Sequence, residues 1–137
     1  MIKNIEITSV GHGGAGIGRL DGQVCFVPYG LPGDHLEIKI TRANKKMLWG
    51  ELVNVVQPSS DRVEPNFPDW RRSGVSTWLH FAYPAQAEWK QRIVNDCLQR
   101  IAGLAIPQLE WQEDDNLRTG YRTRAEFHGD GKVFGFY

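Results

Sequence analysis

No run in this 137-residue chain approaches the roughly 20 apolar residues of a membrane span, so a spanning helix is excluded. The opening MIKNIEITSV alternates apolar and polar residues, unlike a signal peptide. Cysteine is scarce: Cys25 and Cys97 lie far apart and cannot build a disulfide framework. With no export signal, a reducing cytoplasm is the expected compartment. Charge of one sign is also missing, since 16 basic residues face 16 acidic ones. That balance argues against indiscriminate nucleic-acid binding and leaves local patches to decide where a phosphate backbone lands. No Gly-Lys-Ser/Thr loop occurs, and no glycine-rich turn both follows a strand and opens a helix, so neither a nucleotide loop nor a dinucleotide fingerprint is present.

What remains is a β-rich pattern. Leu36, Ile38 and Ile40 alternate with Glu37 and Lys39, as a half-buried strand requires. Gln23 to Tyr29 reads as a strand interrupted by Pro28, and Leu31-Pro32-Gly33-Asp34 as a turn. Ala43 to Lys46 forms a hairpin tip, from which Leu48 to Val56 returns. The run Gly11-His12-Gly13-Gly14-Ala15-Gly16 is a backbone turn that lets RNA or a neighbouring strand come close. Short strands at this spacing favour a small barrel or sandwich. Residues 58–82 read as an irregular loop. Tyr83 to Ala102 is the one major helix, with Pro84 at its start, Gly103 past its end, and Trp89, Ile93, Cys97, Leu98 and Ile101 on one face. Tyr121 to Phe127 alternates, His128-Gly129-Asp130-Gly131 reads as a hairpin turn, and Lys132 to Tyr137 as the partner strand. The chain stops in mid-strand, as a piece of a longer protein would.

Two basic patches and an acidic one stand out. Lys39, Arg42, Lys45 and Lys46 fall in a stretch without an acid, Arg71 and Arg72 form a second knot, and acids gather at Glu113 to Asp115. With Arg19, and with Phe26, Tyr29 and Trp49 nearby in sequence, the first patch suits a barrel face for RNA: cations meet phosphates and aromatics stack on unpaired bases. The same residues also fit a solvated hairpin around a core Phe26. Cys25 and Cys97 read as packing residues and His80 as a partly buried structural histidine. Arg122 and Arg124 fit RNA contacts or partners of nearby acids.

Residues 4–65 resemble a TRAM domain, an OB-like RNA-binding barrel, through Gly14-Ala15-Gly16-Ile17-Gly18-Arg19, Asp21-Gly22, Phe26-Val27-Pro28, Leu31-Pro32-Gly33-Asp34 and Pro58 to Pro65. His80, Tyr83, Gln86 and Lys90 then keep the spacing of a motif in RNA uracil-5-methyltransferases of the TrmA/RlmD type, and Tyr121-Arg122 and Gly135-Phe136-Tyr137 resemble the start of that family's central β domain. The departures are informative. Phe67, Ser73 and Ser76 occupy the positions of the family's cluster cysteines, and Leu79 replaces a glutamine. Cluster irons need thiolates, so no iron–sulfur cluster is expected. Packing of Phe67, Trp70 and Trp78 is expected to organise that loop instead.

The resemblance implies a mainly β fold with one major helix (α+β): a TRAM-like OB barrel over 1–57, an irregular loop over 58–82, and over 83–137 a helix and the first hairpin of a central β domain. It implies no catalytic or metal-binding residue in this chain. Its expected role is to bind and orient structured ribosomal or transfer RNA, through Arg19, Tyr29, Lys39, Arg42, Lys45, Lys46, Trp49, Arg71, Arg72, Arg122 and Arg124. Tyr29, Trp49 or Trp78 would stack on a splayed base. The resemblance places the methyl transfer from S-adenosylmethionine in a C-terminal methyltransferase domain outside this sequence. Two rival readings are a stand-alone RNA-binding or adaptor protein and a protein-interaction barrel, since OB-like folds host many functions.

Overall fold

Five strands close on one another in the computed structural model, which describes residues 2–68, 70–71, 77–104, 110–112, 120, 122–132 and 134–135. They are β1 (Ile2–Val10), β2 (Gly16–Leu20), β3 (Gln23–Val27), β4 (His35–Ala43) and β5 (Met47–Gln57). Their order around the barrel is β1-β2-β3-β5-β4, with β4 returning to β1. All pairs are antiparallel except β3 and β5, which run parallel from Val24↔Met47 to Phe26↔Trp49. This is the OB-like barrel the sequence implied.

Alternation dictates which side chains fill it. Ile5 and Ile7 of β1, Cys25 and Val27 of β3, Leu36 and Ile38 of β4 and Leu48 of β5 form the core, and Ile40 packs against it. Pro28 lies just beyond β3, where its missing N–H costs no ladder bond. The turn after it forms as expected: Asp34 N–H donates to the Leu31 carbonyl at 2.9 Å, with Gly33 at φ 89° as the third residue of a type II turn demands.

The helix α1 (Tyr83–Arg100) ends slightly short of the sequence expectation, with Ile101 capping onto the Cys97 carbonyl at 3.0 Å. Its N-terminal half carries the packing. Ala85, with Trp89 and Ile93 beside it, covers Phe81, Trp78, Val10 and Leu31 at one end of the barrel. The C-terminal half does not: Ile101 is 83% exposed, so the apolar stripe continues beyond the surface it covers. Gln86 secures the entry, donating from Nε2 to the carbonyls of Trp78 (3.0 Å) and Phe81 (2.7 Å).

Near the C-terminus the hairpin is displaced from its expected register. His128 and Gly129 belong to β6 (His128–Gly129), paired with β7 (Phe134–Gly135), so they flank the turn and do not form it. Asp130 explains the shift, because its Oδ1 accepts from Lys132 N–H at 2.9 Å and Gly131 takes φ 88°. Residues 122–127 are not a strand; Arg122 and Arg124 are exposed there.

Candidate nucleic-acid interface

The barrel's strand register lines up one row of outward side chains. Ile17 on β2 opposes Phe26 on β3, Phe26 opposes Trp49 on β5, and Trp49 opposes Arg42 on β4. The Phe26 and Trp49 rings stack with centroids 6.1 Å apart at 24°, and the Arg42 guanidinium lies 4.7 Å from the Trp49 centroid. Both residues are half-buried, so the pair stays partly accessible to solvent. Phe26 is therefore not a core residue: Cys25 and Val27 take the inward positions beside it. A bulge at Thr41, whose Oγ1 donates to the Trp49 carbonyl at 3.1 Å, brings Arg42 over the ring. A flat aromatic surface edged by a guanidinium is the arrangement that holds an unpaired base and its phosphate.

Cations flank this platform. Arg19 lies on the next outward row of β2, opposite Val24, and its Nη1 donates to the Gly22 carbonyl at 3.3 Å. Lys39 lies on the other side, opposite Glu51. Lys45 and Lys46 are exposed at the β4–β5 tip, where Asn44 Oδ1 accepts from the N–H groups of Lys46 (2.8 Å) and Met47 (2.7 Å). Gln23 Nε2 ties that tip to the start of β3 through the Asn44 carbonyl at 3.1 Å.

At the other end of β3 the chain enters a left-handed residue, Tyr29, at φ 65°. A non-glycine residue holds that conformation only when its surroundings over-determine it. Here its carbonyl accepts from Arg62 Nη2 at 2.8 Å and from His80 Nε2 at 3.1 Å, and its hydroxyl donates to the Arg71 carbonyl at 3.1 Å. Trp70 meets the Tyr29 ring edge-on at 5.3 Å, and the Arg71 guanidinium lies 5.4 Å from both rings. His80 stacks on Trp70 at 4.6 Å and is almost wholly buried. Burial, then the neighbouring Arg62 and Arg71 charges, push its pKa down to about 4 against the opposing effect of the Tyr29 carbonyl and Asp34. It is neutral at pH 7, more deeply buried than the partly buried histidine expected from the sequence, and its Nδ1 has no hydrogen-bond partner among the described residues.

The structure thus brings together Arg19, Lys39, Arg42, Lys45, Lys46 and Trp49 on one side of the barrel and Tyr29 with Arg71 at its end. Arg122 and Arg124 lie in a separate segment, outside any strand. Arg72, Ser73 and Ser76 lie outside the described residues, as do Glu113 to Asp115, Tyr121, Phe136 and Tyr137. Trp78 does not serve as a stacking surface: it is buried, with Nε1 donating to the Gly14 carbonyl at 2.9 Å and its ring edge-on to Phe81. Phe67 is half exposed and does not join Trp70 and Trp78 in packing the loop. Burial pushes the Cys25 thiol up in pKa, consistent with a packing role.

Sequence reasoning missed the part of Asp34 and Arg62. Asp34 is fully buried and accepts from Leu31 N–H (2.6 Å), Ser59 N–H (2.8 Å) and Arg62 Nε (3.1 Å). The Pro-Gly-Asp and Ser-Ser-Asp-Arg motifs contained both partners, but nothing local in the sequence joins them.

Residues 2–53 match the TRAM domain family. An "uncharacterized RNA methyltransferase" of Nitratidesulfovibrio vulgaris is 34% identical over 93% of this chain and 27% of its own length. The "uncharacterized RNA methyltransferase BH0687" of Halalkalibacterium halodurans is 31% identical over 99% of this chain and 31% of its own. The chain therefore spans about three-tenths of the length of these curated relatives. A solved structure, the conserved protein from the gene locus MMP0076 of Methanococcus maripaludis, is 36% identical, covering 39% of this chain and 76% of that one at a TM-score of 0.37. By these matches residues 2–53 resemble a TRAM domain, and the chain is similar over nearly its whole length to proteins named as RNA methyltransferases.

Proposed function

We propose that this chain is the RNA-gripping part of an RNA uracil-5-methyltransferase acting on ribosomal or transfer RNA in the cytoplasm. The stacked Phe26–Trp49 pair with Arg42 over it is the observation that carries the reading. Phe26 and Trp49 stabilise the sheet as a cross-strand pair, and their partly accessible rings beside a guanidinium are also a surface on which an unpaired base stacks. Arg19, Lys39, Lys45 and Lys46 then follow the backbone, and the loop over 58–82 fixes the barrel's end. The hairpin of β6 and β7 begins a central β domain. S-adenosylmethionine and the groups that attack uracil belong to a methyltransferase domain outside this chain.

Titration with structured ribosomal RNA fragments at several salt concentrations tests this. The logarithm of affinity should fall linearly with log salt. Trp49→Ala should weaken binding about tenfold at every salt concentration, the value of one lost stacking contact. No binding at low salt would overturn the reading.

A further inference from the structure

Beyond the platform, β3 leads directly into a cavity. Ala15 and Pro28, which flank the last β2–β3 pair Gly16↔Val27, line a cavity of about 190 Å³ together with Gly13, Tyr29, Trp70 and Arg71. Two residue steps lead from Phe26 through Val27 to Pro28, so the cavity begins about 7 Å from the platform. Its polar and aromatic walls are fixed from behind: Trp70 is buried against His80, and the Tyr29 hydroxyl is tied to the Arg71 carbonyl. The Arg71 side chain itself is exposed, with its guanidinium facing both rings. The strained Tyr29 backbone directs its ring into this arrangement, and such strain collects where a ligand is held.

Planar rings beside a guanidinium, in a recess too small for a folded peptide, match one nucleotide: a flat base and an anionic phosphate. We infer that this cavity is a second nucleotide subsite, taking one base splayed from the strand whose neighbour stacks on Phe26 and Trp49, with Arg71 on its phosphate. The inference rests on the RNA-binding reading above. It adds a defined spacing between two separately held bases, which a uniform basic surface would not impose.

The test uses this chain and a short oligouridylate in which each base in turn is replaced by an abasic site. Two positions should be sensitive, each losing about tenfold in affinity. Ala15→Leu, which adds a side chain at the cavity wall, should erase the sensitivity at one position and leave the other. Trp49→Ala should do the reverse. Arg71→Ala removes the guanidinium over the Tyr29 and Trp70 rings but leaves the Tyr29 hydroxyl bonded to the Arg71 carbonyl, and it should repeat the first result; it decides the matter if Ala15→Leu does not fold. A single sensitive position, lost with Trp49→Ala, would overturn the subsite and leave RNA binding intact. An intact two-position profile in folded Ala15→Leu or in Arg71→Ala would overturn it as well. Wild-type chain that binds neither the oligomer nor structured RNA at low salt would overturn the RNA reading, and the subsite with it.

Discussion

Arg62 reaches back 28 positions in sequence to place Nη2 2.5 Å from Oδ2 of Asp34, a carboxylate with no exposed surface. The same nitrogen donates to the Tyr29 carbonyl, so one side chain joins the loop after β5 to the turn after β3. Removing one partner of a buried pair leaves the other charged and unsolvated. Arg62→Met should therefore cost about 3–5 kcal/mol in urea unfolding. Asp34→Asn with Arg62→Met should recover part of that loss. A cost below about 1 kcal/mol for the single variant would show that the pair does not hold the loop.

His80 makes stability depend on pH. Its pKa is about 4 in the fold and about 6.5 when unfolded, so between those values the unfolded chain binds more protons. The contribution of neutral His80 is complete above pH 6.5 and is lost as pH falls toward 4. The slope should approach 1.4 kcal/mol per pH unit within that window, a total on the order of 3 kcal/mol. His80→Gln keeps a donor for the Tyr29 carbonyl and cannot titrate. Its urea midpoint should fall less than that of the wild type between pH 7 and pH 4.5, and parallel profiles would refute the assignment.

Gly14 carries the contact between the glycine run and the loop. It has φ 82°, and a Cβ there would come within 2.5 Å of Thr77 Cγ2. Gly14→Ala should destabilise the fold by about 1–3 kcal/mol. Adding Thr77→Ser removes the clashing methyl and should restore most of the steric share, leaving the 3.2 Å approach to Trp78 Nε1 and the backbone strain. Full recovery in the double variant would mean that the left-handed backbone costs nothing.

The β4–β5 tip offers a cleaner electrostatic readout. Lys45 and Lys46 are exposed, and no carboxylate among the described residues pairs with them. If both meet phosphates, Lys45→Ala with Lys46→Ala should reduce the slope of log affinity against log salt by about 0.7 for each lysine on single-stranded RNA. Thermal stability should not change. An unaltered slope would remove the tip from the interface.

Features set by neighbouring residues were legible in the sequence. Pro32 and Gly33 announce their own turn, the alternation through Leu36, Ile38 and Ile40 gives the buried face of β4, and helical spacing with Gly103 bounds α1. The candidate site was only half legible. Trp49 and Arg42 were named, but Phe26 fitted the core equally well, because its side depends on the register of β3 against β5. That pairing is parallel and joins distant segments, so no local pattern encodes it. The clamp on Tyr29 was hidden for the same reason: its carbonyl is held by residues 33 and 51 positions away. The hairpin at His128 failed differently, since Gly129 and Gly131, two positions apart, offered two turns and the Asp130 side chain selected one.

The parallel seam between β3 and β5 is short, running from Val24 and Met47 to Phe26 and Trp49. The two rings of the platform stand on opposite sides of it. A base lying across both would act as a clasp on the line where the barrel closes. If RNA binds there, opening of the seam and release of RNA would become one linked equilibrium: whatever loosens β3 from β5 would shed the ligand, and bound RNA would slow exchange of the amides along that edge.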